Sequence, residues 1–233
     1  MKQIQDAYIV AATRTPIGRS HKGFFRNTRP DDLLATTLKA VMAQAPGLDP
    51  QAVEDVICGC AIPEAQQGLN VARIGAVLAG LPNSVGGITV NRFCASGLSA
   101  VAMAADRIRV GEADVMIAAG VESMSMVPMM GNSPSLSPSI FAPDSDVGIA
   151  YGMGLTAERV AQQWKVSREA QDAFAVESHR RALAAQQAGE FAAEITPIEV
   201  TDRGLDLATG KPTSSTRTVS LDEGARADTT LEG

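Results

Sequence analysis

ITVNRFCASGLSAVAMAADRIRV, from Ile88 to Val110, is the stretch of sequence that decides the fold. Its first three residues, 88–90, form a short run rich in β-branched side chains, which predicts a strand. From Leu98 onward, apolar residues recur at 101, 102, 105 and 108, the spacing of a helix. Cys94 therefore lies at a predicted junction between a strand and a helix.

The junction matters for the chemistry of Cys94. A helix start has unpaired N–H groups and the positive end of the helix dipole, so a thiolate forms more easily there. The same N–H groups can hold the oxygen of a carbonyl under attack. Small residues dominate from Cys94 to Ala105 without a charge, which predicts a central helix packed between layers. The alternative is a buried core cysteine that happens to begin a helix.

Composition limits the function classes. The 233 residues are 45% hydrophobic with a formal net charge of −6, which suits a globular core. No run of Lys and Arg is interleaved with aromatic residues, so a nucleic-acid partner is not expected. The sequence shows no secretory signal and no apolar stretch long enough to span a bilayer, so we expect no membrane partner and a cytoplasmic location.

The sequence has three cysteines, and an odd number without a signal peptide favours free thiols. Cys58 and Cys60 project to one face of a predicted strand, and core packing is the expected role for both. No further Cys or His cluster completes a metal site, so no metal is expected. For His21 and His179 we expect surface roles.

The first half of the chain alternates strands with helices. Predicted strands cover 7–12, 53–61, 88–90 and 114–119, and predicted helices cover 31–44, 71–78 and the stretch after Cys94. This order predicts a parallel sheet with right-handed crossovers and helices on its faces. The cysteine then lies at the C-terminal end of a strand, where open α/β sheets place ligands.

The second half of the chain has a different sequence pattern. Glu122 begins a Met- and Pro-rich stretch that predicts an irregular segment wrapped over the surface. A helix is predicted with Thr156 as N-cap and another from Ser167 to Gly189. The segment 195–200 predicts a strand, and 202–228 predicts a loop with at most a short hairpin.

Residues 90–101, VNRFCASGLSAV, resemble at every position the acyl-enzyme signature of thiolases. Residues 9–18, 120–125 and 153–158 are similar to further family segments, so the resemblance spans essentially the whole chain. It implies a thiolase-like α/β fold: one half of a layered αβαβα architecture, with a mixed, mostly parallel sheet and a helical loop-domain excursion. The implied domains are a core half at 1–121 carrying the nucleophile and a truncated, CoA-binding loop domain at 122–233.

The resemblance also implies roles for three residues. Cys94 matches the acylated nucleophile, with its own N–H in the oxyanion hole. Met153 falls where thiolases line the acyl and pantetheine pocket, and Arg226 aligns with a basic residue near the CoA nucleotide. Guanidinium binds phosphate well, although a solvated loop charge is the alternative for Arg226. No cofactor is implied, because CoA is a substrate.

Two features depart from the family pattern. Gly152 stands where many short-chain biosynthetic thiolases have a histidine, which favours a degradative type that accepts longer 3-oxoacyl chains; Ala119 replaces a frequent glycine. The family's Gly-His-Pro and Asn-Glu-Ala-Phe motifs and its second catalytic cysteine do not occur in the sequence. A thiol nucleophile needs an adjacent base or another form of activation, so this N-terminal portion is expected to be inactive alone.

The predicted function is that of an acetyl-CoA C-acyltransferase (3-ketoacyl-CoA thiolase) of fatty acid β-oxidation, working through an acyl-Cys94 thioester in either direction. One alternative is a non-catalytic thiolase-like domain that binds acyl-CoA or pairs with a partner chain. Another is a ketoacyl synthase-type condensing enzyme, which the pattern at 153–158 disfavours. The expected partners are acyl-CoA and CoA, a second copy of the chain in a homo-oligomer, and a fatty-oxidation partner subunit. Protein association is expected because an uncovered apolar helix face favours it.

Overall fold

The computed structural model describes residues 4–143 and 147–232. The chain forms two compact units: Met1–Asn132 with Ala192–Gly224, and Ser133–Phe191 with Ala225–Gly233. The sequence-based boundary after residue 121 divides the chain elsewhere, since 122–132 and 192–224 belong to the first unit. The CoA-binding role given to 122–233 stays a prediction.

The first unit contains a three-stranded parallel sheet. Its strands are β1 (Asp55–Gly59), β2 (Gly86–Val90) and β3 (Met116–Gly120), in the order β2-β1-β3. Its helices are α1 (Pro30–Ala43), α2 (Val71–Leu78) and α3 (Ser96–Arg109). The predicted parallel α/β arrangement is confirmed.

β1 is the centre of this sheet and is buried on both faces. Val56 and Cys58 pack in the cluster that contains residues of α1 and α2, whereas Ile57 packs against Ala100 and Ala104 of α3. Alternate strand residues point to opposite faces, so each face is covered by a different helix layer. This double burial explains why residues 56–61, from the strand into the segment after it, contain no polar or charged side chain other than the two cysteines.

The helix starts follow local sequence. α1 begins at Pro30, which pre-sets the helical φ, with Asp31 and Asp32 in its first turn near the positive end of the dipole. α2 is capped by Asn70, whose side chain accepts the Arg73 N–H at 3.3 Å. Both helices were predicted within one residue of their observed starts.

The predicted strand at 7–12 is wrong: residues 4–13 form no strand in the structure. Tyr8, Ile9 and Val10 are exposed by 76%, 81% and 83%. The segment lines one wall of a cavity of about 700 Å³ whose other walls include α1, α3 and β3. A strand exists only through its ladder with a neighbour, and here the cavity separates the segment from the edge of β3.

α3 was predicted to be packed between layers, and the described chain covers only one of its faces. Only Ser96, Ala100 and Ala104 of the helix are buried, at a spacing of four that marks one face. Leu98 and Val101 are exposed. The sheet covers one side of the helix, and no described element buries the other.

An ion-pair cluster joins distant segments of the first unit. Arg14 Nη1 and Nη2 donate to the Asp222 carboxylate at 2.8 and 2.9 Å, and Arg14 Nε donates to Glu194 Oε1 at 2.7 Å. The Arg14 guanidinium lowers the pKa of Asp222. The Asp222 carboxylate also accepts the Ile17 N–H at 2.8 Å, so it orders the chain that follows the exposed N-terminal segment.

A long antiparallel hairpin completes the first unit, with β4 at Ile198–Leu205 and β5 at Pro212–Val219. Its buried end packs Ile198, Val200 and Val219 on Phe24 and Phe25. The sequence predicted a strand at 195–200 and at most a short hairpin within 202–228, because most residues of the observed hairpin beyond its buried end are exposed and lack an apolar alternation.

The second unit is helical, with α4 at Met153–Trp164 and α5 at Arg168–Gln187. The predicted N-cap at Thr156 is wrong, because α4 is capped by Gly152 and the Thr156 N–H already donates to the Gly152 carbonyl. The cap at Ser167 is confirmed by its hydroxyl, which accepts the Ala170 N–H at 3.2 Å. In the described part of the chain, no helix has the length and apolar character needed to cross a membrane.

Candidate active site

Cys94 lies in the turn between β2 and α3, two residues before the first helical residue, Ser96. Its side chain is exposed, so the alternative of a buried core cysteine is wrong. The parallel sheet places this turn at the C-terminal end of β2, as the strand pattern predicted.

The turn has an unusual backbone immediately before the sulfur. Phe93 has φ of +46°, a left-handed conformation that costs a residue with a Cβ about 1–2 kcal/mol. Two side chains hold it: Asn91 Oδ1 accepts the Phe93 N–H at 2.8 Å, and Ser96 Oγ donates to the Phe93 carbonyl at 2.6 Å. Ser96 Oγ also accepts the Arg92 N–H at 2.8 Å. Hydrogen bonds to both the N–H and the carbonyl of Phe93 thus fix the backbone conformation immediately before Cys94.

Backbone donors accompany the sulfur at the start of α3. The N–H groups of Ala95 and Ser96 are used within the turn, donating to the Arg92 and Phe93 carbonyls at 3.1 and 3.0 Å. By contrast, the N–H groups of Cys94, Gly97 and Leu98 have no acceptor among the residues that the structure describes. These groups and the helix dipole provide the positive end that an oxyanion requires.

The start of α3 packs directly against the end of β1. A Cβ built on Gly59 would lie 2.4 Å from the Ser96 carbonyl carbon and 2.5 Å from the Gly97 nitrogen. Only a glycine allows so close an approach of two backbones. Gly59 therefore determines how near the helix start, and with it Cys94, lies to the sheet.

The other two cysteines have a different environment. Cys58 and Cys60 are buried in the cluster between the sheet and its helices, which confirms their predicted packing role. Burial, reinforced by the charge of Glu122, raises the pKa of each thiol to about 12. Within 4–143 and 147–232, no group of three or more His, Cys, Asp or Glu side chains is arranged to hold a metal ion.

A family model for the thiolase N-terminal domain matches residues 7–233. The chain belongs to this thiolase family. It is 47% identical over 233 residues to a 3-ketoacyl-CoA thiolase of Bacillus subtilis (strain 168), covering 98% of this chain and 58% of that protein. It is 44% identical over 230 residues to a 3-ketoacyl-CoA thiolase of Shewanella frigidimarina (strain NCIMB 400), covering 98% and 56%.

A solved structure supports the thiolase fold. The crystal structure of the Bacillus anthracis acetyl-CoA acetyltransferase matches with a TM-score of 0.80 at 31% identity, over 100% of this chain and 58% of that one. The family and the thiolase-like α/β fold predicted from residues 90–101 are therefore confirmed. The chain spans somewhat more than half the length of these proteins.

The other two predicted site residues, Met153 and Arg226, belong to the second unit, whereas Cys94 belongs to the first. Met153 is the first residue of α4 and is 64% exposed. The Arg226 backbone N–H donates to His179 Nδ1 at 3.1 Å, and the Arg226 side chain forms no ion pair within the described chain. His21 is exposed, as predicted, whereas His179 is half-buried. No hydrogen bond between described residues joins His21 to Cys94, which lies in the same unit.

Three polar residues at the same edge of the sheet were missed as site residues: Asn91, Gln67 and Glu122. Asn91 and Glu122 lie inside segments that resemble the family, which was the available signal. Gln67 is completely buried although it is polar, and only the structure reveals this.

Proposed function

We propose that this chain is the nucleophile-bearing part of a thiolase that transfers acyl groups between CoA thioesters through Cys94. The observation that carries the proposal is the exposed sulfur at the start of α3, beside N–H groups without a described acceptor. Thiolase relatives at 47% and 44% identity support the same reaction class.

The geometry suits a thiolytic cleavage in two steps. The Cys94 thiolate attacks C3 of a 3-oxoacyl-CoA, and the helix N–H groups stabilise the negative oxygen. The C2–C3 bond then breaks; its electron pair stays on C2, which takes a proton to give acetyl-CoA, and the shortened acyl group remains on the sulfur. Free CoA attacks this thioester, releasing acyl-CoA and the Cys94 thiolate. The reverse sequence is a Claisen condensation.

Turnover needs groups that the described site does not bring to Cys94. Proton transfer at C2 and activation of the thiol both call for an acid or base within hydrogen-bond reach. The sequence has two histidines: His21, in the same unit, is not hydrogen-bonded to Cys94 among the described residues, and His179 belongs to the other unit. We therefore propose that this chain accepts an acyl group but does not catalyse turnover alone.

Intact-mass spectrometry tests acylation directly. Incubated with acetyl-CoA, the chain should gain one acetyl group on Cys94, and Cys94→Ala should gain none. With acetoacetyl-CoA and CoA, neither protein should show steady thiolysis. Absence of the acetyl adduct would contradict the nucleophile assignment, and steady thiolysis by the chain would contradict the proposed division of labour.

For substrate binding, we propose that Met153 contacts the acyl and pantetheine groups and that Arg226 binds a CoA phosphate. The exposure of Met153 and the unpaired guanidinium of Arg226 within the described residues support these roles. Gly152 supports a degradative preference for longer 3-oxoacyl chains. Comparing CoA with dephospho-CoA in calorimetric titrations of wild type and Arg226→Gln tests the phosphate contact.

The exposed apolar residues of α3 and of the N-terminal segment support association with further protein surface. We propose a homo-oligomer, a cytoplasmic location and a role in fatty acid β-oxidation, with a fatty-oxidation partner subunit as a further candidate. Sedimentation showing a clean monomer would contradict the homo-oligomer.

A non-catalytic acyl-CoA-binding domain is the second candidate, favoured by the lack of a base hydrogen-bonded to Cys94 among the described residues. CoA binding in a titration without an acetyl adduct on Cys94 would support that candidate over acyl transfer.

A further inference from the structure

The turn that carries Cys94 is tied to the neighbouring strand by Asn91. Besides accepting the Phe93 N–H, Asn91 donates from Nδ2 to the Ala61 carbonyl at 2.9 Å. Ala61 lies two residues after the end of β1. Asn91 therefore connects the backbone before Cys94 to the segment that follows β1 at the same edge of the sheet.

Ala61 is held in turn by Glu122, which follows β3. The Ala61 N–H donates to Glu122 Oε2 at 2.7 Å, and Gln67 Nε2 donates to Glu122 Oε1. Gln67 Nε2 also donates to the Ile62 carbonyl at 2.9 Å, while its Oε1 accepts the Ser123 N–H at 2.9 Å. Gln67 is completely buried, and both ends of its amide are used, so it fixes the network rigidly.

The charge of Glu122 determines which groups donate hydrogen bonds in this network. Both carboxylate oxygens accept from amide N–H groups, and the described residues include no Lys or Arg in an ion pair with Glu122. An ionised carboxylate only accepts hydrogen bonds, so Ala61 and Gln67 must both present their donors to it. An amide at position 122 would satisfy one of the two and oppose the other.

We propose that Asn91, Gln67 and Glu122 are positioning residues for Cys94. Through Ala61 they hold the Cys94 turn so that the sulfur stays aligned with the N–H groups at the start of α3. The inference rests on the proposed function, since this alignment matters for an acyl transfer through Cys94.

Two reagents separate positioning from simple accessibility. Acetyl transfer from acetyl-CoA needs the sulfur and the N–H groups in one geometry, whereas iodoacetamide needs only an accessible thiolate. In the full chain, Glu122→Ala should slow acetyl transfer to Cys94 about 10- to 100-fold while changing the alkylation rate less than about threefold. Glu122→Gln should fall between wild type and Glu122→Ala. Asn91→Ala, at an exposed position, should repeat the selective loss.

Glu223→Ala is the matched control. The Glu223 carboxylate also accepts two N–H groups in the same unit, from Arg19 at 2.9 Å and Phe24 at 3.1 Å. No described hydrogen bond links it to the Cys94 turn. Both rates should stay at the wild-type value in this variant.

Wild-type rates of acetyl transfer in Glu122→Ala, or an equal loss in Glu223→Ala, would overturn the inference. If the wild type itself takes no acetyl group, the proposed function fails, and amide hydrogen exchange decides the positioning separately. Exchange of the Phe93 N–H should accelerate about tenfold in Glu122→Ala and stay unchanged in Glu223→Ala. An unchanged Phe93 rate in Glu122→Ala would overturn the positioning role.

Discussion

Cys94 and Cys58 are the same residue type in the same compact unit, yet the fold gives them opposite properties. Cys58 lies inside β1 on the face covered by α1 and α2, where burial raises the pKa of its thiol to about 12. Cys94 lies two residues before α3, exposed and beside backbone donors. The difference shows how the fold sets the exposure of a thiol: a covered strand buries it, whereas the place where a strand ends and a helix begins leaves it exposed beside unused backbone donors.

The largest expected difference is in alkylation. A thiol with a pKa of about 12 is ionised in only about one molecule in ten thousand at pH 8, and Cys58 and Cys60 are also shielded from the reagent. Cys94 should therefore react with iodoacetamide at least about 100-fold faster than either. Peptide mapping after timed quenching measures the three rates. Comparable alkylation rates in the folded chain would contradict the difference between the exposed and buried cysteines. In guanidinium, the three rates should become similar.

A change at Gly59 should disturb the reactive cysteine through the backbone. Gly59→Ala places a methyl group 2.4 Å from the Ser96 carbonyl carbon, so β1 and α3 must separate. We expect a loss of about 2–4 kcal/mol in the free energy of unfolding, measured by urea denaturation, and slower acetylation of Cys94.

Gly47→Ala is the control for this substitution, because a Cβ at Gly47 meets no atom within 4 Å. Its stability should match or slightly exceed that of the wild type. Equal stabilities for Gly59→Ala and Gly47→Ala would show that the strand end does not constrain the helix start.

Serine substitutions should separate the two cysteine environments in stability. Cys58→Ser places a hydroxyl where the sulfur's described polar contact is the Gly59 carbonyl at 3.6 Å, so a loss of about 1–3 kcal/mol is expected. Cys94→Ser, at the exposed turn, should stay within about 0.5 kcal/mol of wild type. Urea titrations of both variants give the values, and a reversed order would contradict the burial assignment.

Alkaline pH should also lower the stability of the folded chain through the two buried thiols. The buried thiols keep their protons up to a pH near 12, while in the unfolded chain they release them from about pH 9. The unfolded state therefore binds fewer protons above pH 9, and stability falls by about 1 kcal/mol per thiol at pH 10. Replacing Cys58 and Cys60 by Val should reduce the loss between pH 8 and pH 10. An identical pH dependence in this double variant would contradict the raised pKa values.

Elements with strong local signals were predictable from the sequence. α1 begins at Pro30, α2 follows Asn70, and β1 contains the apolar run 56–58, so each is specified within a few residues. The segment 7–12 carries an equally apolar pattern but forms no strand. Its pairing depends on a neighbour at long range, which a local pattern does not contain.

The candidate site divides in the same way. The motif around Cys94 identified the nucleophile candidate and its family, because strand, turn and helix signals are adjacent in sequence. Gln67 and Glu122 are 55 residues apart and were not predicted as a pair. Their hydrogen bond exists only because parallel strands bring the segments after β1 and β3 to the same edge.

The sequence alone determined the alternating strands and helices, the thiolase family and the place of Cys94 at a helix start, since all of these depend on residues close together in the chain. The tertiary structure decided which cysteine is exposed, how near α3 approaches β1 at Gly59, and which side chains steady the Cys94 turn. These depend on contacts between distant segments, and burial and hydrogen-bond geometry arise only when the sheet assembles.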